Sequence, residues 1–178
     1  MNHRRSFLKS TALLASALSV PAIGRAAATL PHERTVRMYN THTGETLRTV
    51  FWAEGQFVPE AINDINKLLR DHRSNTIAQM DPKLLVLLDQ VSTQVGSGKV
   101  LHIISGYRSP ETNRRLAERS GGVAKHSMHL EGKAIDVRLP GYDLAKLHKA
   151  ALQAGGGGVG YYPDSQFVHM DTGRVRHW

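Results

Sequence analysis

The sequence predicts an α+β domain, a small antiparallel sheet with flanking helices. Two observations carry this. Short runs of alternating apolar and polar residues fall in pairs joined by turn residues, the pattern of hairpins. Mixed among them are stretches with apolar residues at helical spacing, which favours a sheet with helices on one side. The 178 residues, 40% of them hydrophobic and 21% charged, suit one such domain plus an appendage.

Taken in order, residues 35–39 and 46–52 flank His42-Thr43-Gly44 and read as a β-hairpin. Pro59 opens a helix with Ile62, Ile65, Leu68 and Leu69 on one face. Asp81-Pro82 caps a second, with a buried stripe of Leu84, Leu85, Leu88, Val91 and Val95 that ends at Gly96. Residues 100–105 read as a strand, and Ser109-Pro110 starts a third helix running to about Ser120. A loop at 121–130 leads into a strand at 133–139. Residues 142–154 form a fourth helix stopped by Gly155, and strands at 158–162 and 166–171 turn through Pro163-Asp164-Ser165.

Residues 1–28 have a different composition. Four basic residues (Arg4, Arg5, Lys9, Arg25), no acid, an Ala/Leu/Val stretch and a closing Ala26-Ala27-Ala28 are the parts of a secretory signal, cleaved near Ala28. Arg4-Arg5-Ser6-Phe7-Leu8-Lys9 resembles the twin-arginine signal, which implies the twin-arginine export machinery as a partner and the periplasm as destination. The apolar run is shorter than ~18 residues and is broken by Pro21 and Gly24, so no stable membrane anchor is expected after signal removal. Residues 29–178 are then the working domain. The formal charge of +8 falls to +4 without the signal, and the remaining basic residues form no long run, so no nucleic acid is expected as partner. A mild positive charge suits an anionic polymer such as a cell wall. The absence of cysteine excludes a disulfide scaffold, a thiolate metal site and a cysteine nucleophile.

The chemistry lies in residues 127–136. On the strand that follows Gly132, Ile135, Val137 and Leu139 alternate with Ala134, Asp136 and Arg138, so Asp136 leaves the core face. Gly132 permits a sharp turn that folds His129 back over Asp136. Imidazole and carboxylate beside open space are competent first ligands for a divalent metal, and suit zinc. His169 alternates with Val168 and Met170, and can add a third ligand if its strand neighbours 133–139, leaving a fourth position for water. Ten histidines make chance pairs common, and spacing alone leaves a metal site and satisfied core histidines equally open.

Ser127-x-His129-x-x-Gly132-x-Ala134-x-Asp136 resembles the S-x-H-x-x-G-x-A-x-D signature of the zinc peptidases related to the D-Ala-D-Ala dipeptidases, the D-Ala-D-Ala carboxypeptidases and the hedgehog fold. Within that group the chain is similar to the murein endopeptidases. The likeness runs through Ser105-Gly106-Tyr107-Arg108-Ser109, the Gly-rich 157–163, Phe167-Val168-His169-x-Asp171-Thr172-Gly173 and Arg176-His177-Trp178. The resemblance implies a zinc ion on His129, Asp136 and His169, and a metal-polarised water attacking an amide of peptidoglycan cross-links, D-alanyl–diaminopimelate or diaminopimelate–diaminopimelate. It implies that Arg108 meets a substrate carbonyl or carboxylate through its planar donor fork; the alternative is an ion pair with Glu111 or Glu118. Ser127 orients the ligand loop or touches substrate.

The sequence departs from this group at the general base. Relatives commonly carry an acid three residues before the last ligand histidine, or a histidine two before it; Gln166 and Phe167 stand there. Asp171 is the first candidate for the base, followed by His126 and Glu131, with a role in orienting a ligand imidazole as the alternative for Asp171. Two rivals to the endopeptidase share the signature: a carboxypeptidase or dipeptidase that trims terminal D-Ala, and a wall-binding module with a zinc-stabilised, inactive site.

Overall fold

Alternation at the start of the described chain produces the first hairpin. In a computed structural model, which describes residues 33–119, 124 and 126–178, strands β1 (Glu33–Asn40) and β2 (Thr46–Ala53) pair antiparallel, with Val36 and Met38 turned to the core. These residues all belong to one unit, Pro31–Trp178. The export signal expected at 1–28 lies outside the described residues, as do 121–123 and 125 of the expected loop. A two-residue strand, β3 (Gln56–Phe57), extends the hairpin. Helix α1 (Pro59–Leu68) begins on a proline, whose missing N–H costs nothing in a first turn, and buries Ala61, Ile65 and Leu68. Helix α2 (Pro82–Gln94) is capped by Asp81, which accepts from the Lys83 N–H at 2.9 Å.

Strand β4 (Leu101–Ser105) is followed by helix α3 (Pro110–Arg119), which buries the polar Thr112 and Asn113. Then come β5 (Ala134–Arg138), helix α4 (Leu144–Ala154, capped by Asp143), β6 (Gly158–Tyr162), β7 (Phe167–Asp171) and the short β8 (Arg176–His177). One eight-stranded sheet results, in the order β3-β2-β1-β4-β5-β7-β6-β8. Most pairs are antiparallel, as expected, but β1–β4 and β6–β8 are parallel. Both follow from connectivity. The chain between β1 and β4 carries β2, β3 and two helices, long enough to return in the same direction. Strand β7 has both edges taken by β5 and β6, so the chain leaving it reaches past β6 and arrives parallel to that strand.

The sheet has two unlike faces. Met38, Leu101, Ile103, Ile135, Val137, Val159, Val168 and Met170 point to one side and join Ile65, Leu84, Leu88, Val91 and Leu147 of α1, α2 and α4 in a continuous core. The alternate positions, including Tyr39, His102, Asp136, Arg138, Phe167 and His169, point to the other side. Among the described residues no helix is long and apolar enough to cross a membrane.

Candidate metal centre

Strand register assembles the site. Asp136 on β5 stands directly opposite His169 on β7, both on the face away from the core. The third side chain arrives from a single 3₁₀ turn, Met128–Glu131, which starts where the Ser127 hydroxyl accepts from the His129 N–H at 3.3 Å. Gly132 ends that turn at a φ of 67°, and its carbonyl accepts from the Asp81 N–H at 2.9 Å. A Cβ there would collide with the Gln79 carbonyl, so glycine alone lets the loop press against the start of α2. The outcome is the fold-back that the sequence predicts. Ligand atoms of His129, Asp136 and His169 all lie within 4.8 Å of one another, in residues that are each under a tenth exposed.

Hydrogen bonds fix which atoms are free to ligate. The His129 Nδ1–H donates to the Gly106 carbonyl at 2.7 Å, which leaves the Nε2 lone pair facing Asp136 Oδ2 at 3.3 Å. His169 sits between two carboxylates, with Nδ1 2.8 Å from Asp136 Oδ1 and Nε2 3.1 Å from Asp171 Oδ2. Burial opposes charge on this ring, but the two carboxylates outweigh it and lift its pKa to about 8. Asp136 shows the converse. Burial would raise its pKa, and His129 and His169 instead hold it well below the usual carboxylate range. Nδ1 of His169 faces Asp136 and Nε2 faces Asp171, so a cation can replace the Nδ1 proton while Nε2–H stays on Asp171. Two imidazoles, each with its other nitrogen engaged, and one carboxylate fit a divalent metal with an open position.

Asp171 is fully buried and does not line the cavity at the site. Its Oδ1 accepts from the N–H groups of Gly158 (3.0 Å) and Gly173 (2.9 Å) and from Arg176 Nη1 (3.1 Å), while Oδ2 takes Arg176 Nη2 (2.7 Å) and His169. These donors hold its carboxyl far below the usual range even though burial acts the other way. A carboxylate so occupied and shielded is poorly placed to receive a proton from solvent or substrate, and the geometry speaks against Asp171 as the base. Glu131 is exposed and paired with Lys133 at 2.7 Å. Of the three candidates, His126 is the one that lines the cavity.

That cavity, of about 410 Å³, is also lined by Arg108 and Ser127. Arg108 makes two long hydrogen bonds of 3.4 Å, to Asn113 Oδ1 and Ser105 Oγ, while Glu111 pairs with Arg115 instead. Its Nε is buried with no partner among the described residues. Burial weakens its hold on the proton, and the charge of Asp136 opposes that. The opposite composition appears in Tyr162, Phe167 and Trp178, an aromatic group that sequence reasoning did not assemble. Tyr162 stacks on Phe167 at 4.5 Å, and the Trp178 Nε1–H donates to the Tyr162 hydroxyl at 2.7 Å. Gly160 makes room for that indole, since a Cβ would lie 2.7 Å from the ring. Arg176, which anchors Asp171, was likewise invisible as a site residue, because the two-residue β8 leaves no periodic pattern.

Comparison with known proteins agrees with this geometry. A family model described as Peptidoglycan L,D-endopeptidase MepK matches residues 28–178. The chain is 40% identical over 176 residues to Peptidoglycan L,D-endopeptidase MepK of Escherichia coli (strain K12), covering 99% of this chain and 97% of that one. It is 41% identical over 149 residues to Probable peptidoglycan L,D-endopeptidase MepK of Haemophilus influenzae, covering 83% and 80%. No solved structure is a significant match.

Proposed function

Because the chain belongs to the MepK family of peptidoglycan L,D-endopeptidases, we propose that it hydrolyses the peptide cross-links of peptidoglycan, with zinc held by His129, Asp136 and His169. The buried three-ligand cluster at the floor of an open cavity is the observation that carries this reading. The relatives' name favours a bond from an L to a D centre, the diaminopimelate–diaminopimelate link, over the D-alanyl–diaminopimelate one. The Ser127–Asp136 signature on a largely antiparallel α+β sheet supports placing the fold with the D-Ala-D-Ala peptidases and hedgehog relatives. Residues 1–28 act as a twin-arginine signal to the periplasm, and 29–178 as the peptidase domain; the extent of the family match supports that division.

Zinc in such a site supplies Lewis-acid polarisation and makes water nucleophilic near neutral pH. The chain's own residues do the rest. Asp171 holds His169 by its Nε2–H, and Gly106 holds His129 by its Nδ1–H, so both rings present one fixed nitrogen. Arg108, with a buried and unpartnered Nε, offers its fork to the substrate carbonyl or an adjoining carboxylate. Ser127 orients the ligand turn. His126 takes the proton of the attacking water, since imidazole is the commonest general base and this one lines the cavity.

Purified protein incubated with cross-linked muropeptide dimers should release monomers and stop when a chelator is added. His129→Ala and His169→Ala should lose both bound zinc and cleavage. His126→Ala should keep zinc and lose roughly 10²–10⁴-fold in kcat. No monomer release with zinc present would overturn the endopeptidase reading. Free D-Ala from monomeric stems would favour a trimming enzyme, and pelleting with sacculi without cleavage a wall-binding module.

A further inference from the structure

Beside the metal cavity, on the same face of the sheet, lies a second one of about 400 Å³ whose walls include Arg138, His102, Tyr142 and Gln166. We propose that it is a second substrate subsite, which takes a carboxylate of the far arm of the cross-linked peptide on the Arg138 guanidinium; this rests on the endopeptidase reading.

The sheet places the two cavities side by side. Asp136 and Arg138 are two residues apart on β5, so they share a face at a spacing of roughly 7 Å. The β5–β7 ladder pairs Asp136 with His169 and ends at Val137 with Val168, and Arg138 is the next residue of β5, as Phe167 is the one before Val168 on β7. Phe167 lines the metal cavity and Arg138 lines the second. A peptide bound across the metal ligands therefore reaches Arg138 two residues along β5 from Asp136. On the other flank, the ladder sets His102 of β4 opposite Arg138.

The charge of this cavity has one sign. Its lining contains no carboxylate, and among the described residues Arg138 has no ion-pair partner. Lys99 adds a further positive charge at the edge, 5.5 Å above the Tyr142 ring. Gln166, held at a φ of 56° with its amide donating to the Pro163 carbonyl, is neutral where an acid would pair with Arg138 and close the site. Protonation of His102 is opposed first by burial and then by Arg138, so the pair gains from an anion brought in from outside. Arginine is the side chain whose planar fork matches a carboxylate with two parallel hydrogen bonds. Diaminopimelate carries a free carboxylate next to the bond being cut, and the peptide arm beyond it carries others. The chemistry of the cavity and of the substrate are complementary.

The test separates binding from cleavage. A muropeptide dimer with free diaminopimelate carboxylates, and the same dimer with those groups amidated, are titrated calorimetrically into the full chain in the presence of chelator. Wild type should bind the free acid at least about tenfold more tightly than the amide. Arg138→Gln should bind both alike, and Arg138→Lys, which keeps the charge without the fork, should retain part of the difference. Equal binding of both dimers by wild type, or full discrimination by Arg138→Gln, overturns the subsite. Discrimination without any later monomer release on adding zinc leaves the subsite standing and sinks only the endopeptidase reading.

Discussion

At the scale of single residues, Asp171 shows how a buried carboxylate can fix the orientation of an imidazole in a candidate metal centre. Its five donors come from two backbone turns, one guanidinium and one ligand imidazole, so it ties β6, β7 and β8 to the orientation of His169. Asp171→Asn keeps the shape but leaves Arg176 without its counter-charge. We expect a loss of about 3 kcal/mol in stability, read from urea unfolding. Zinc affinity, read by competition with a chelator, should fall 10–100-fold. The sequence could place Asp171 on the correct face, because alternation is a property of the strand. It could not count the donors around it, since Arg176 and Gly158 reach it through strand pairings with no local signature. His129 and Asp136 were legible for the opposite reason: Gly132 and the alternation that follows it act within ten residues.

Among the elements, the segment after α1 anchors the loop that carries Arg108. The Leu69 carbonyl accepts from the Tyr107 N–H at 2.8 Å, and the buried Asp71 carboxylate accepts from the Ser109 N–H at 3.0 Å, so the loop bearing Arg108 is held from both ends. Next to Asp71, His72 stacks flat on His42 with ring centres 3.9 Å apart. Burial first, and then the charges of His42 and Arg73, push the His72 imidazole down from 6.5 to about 4. The unfolded chain therefore binds a proton near pH 6.5 that the folded one refuses until about pH 4. The stability this group contributes is complete above 6.5 and is lost as pH falls through that window. The urea midpoint should drop between pH 7 and pH 5, and His72→Gln should make the drop smaller. An unchanged slope in the variant would show that other groups carry the effect. The hairpins and four helices were legible from period and caps, whereas β3, β8 and the 3₁₀ turn were not. Elements of two to four residues are held by their neighbours rather than by propensity.

Across the whole molecule, one core face supports one working face. Leu88 is fully buried at the centre of α2, which packs on both β1 and α4. Leu88→Ala should cost about 3 kcal/mol by leaving a cavity there. Cleavage measured well below the unfolding temperature should stay near wild type, because Leu88 belongs neither to the His129–Asp136–His169 cluster nor to the lining of its cavity. A matching fall in kcat at low temperature would mean that the core and the site are more tightly coupled than this packing implies.

The strand order has a consequence for how the molecule comes apart. Read along the sheet, it consists of two blocks, each contiguous in sequence: β1 to β3, and β4 to β8. Their shared boundary is a parallel seam of three residue pairs, Met38–Leu101, Tyr39–His102 and Asn40–Ile103. This seam is much shorter than the seven-pair ladder that holds β1 to β2. Partial unfolding that starts there would peel away the N-terminal hairpin while Asp136 and His169 remain paired. In hydrogen-exchange terms, the amides of β5 and β7 would report the opening of the whole chain, and those of the first hairpin a smaller event.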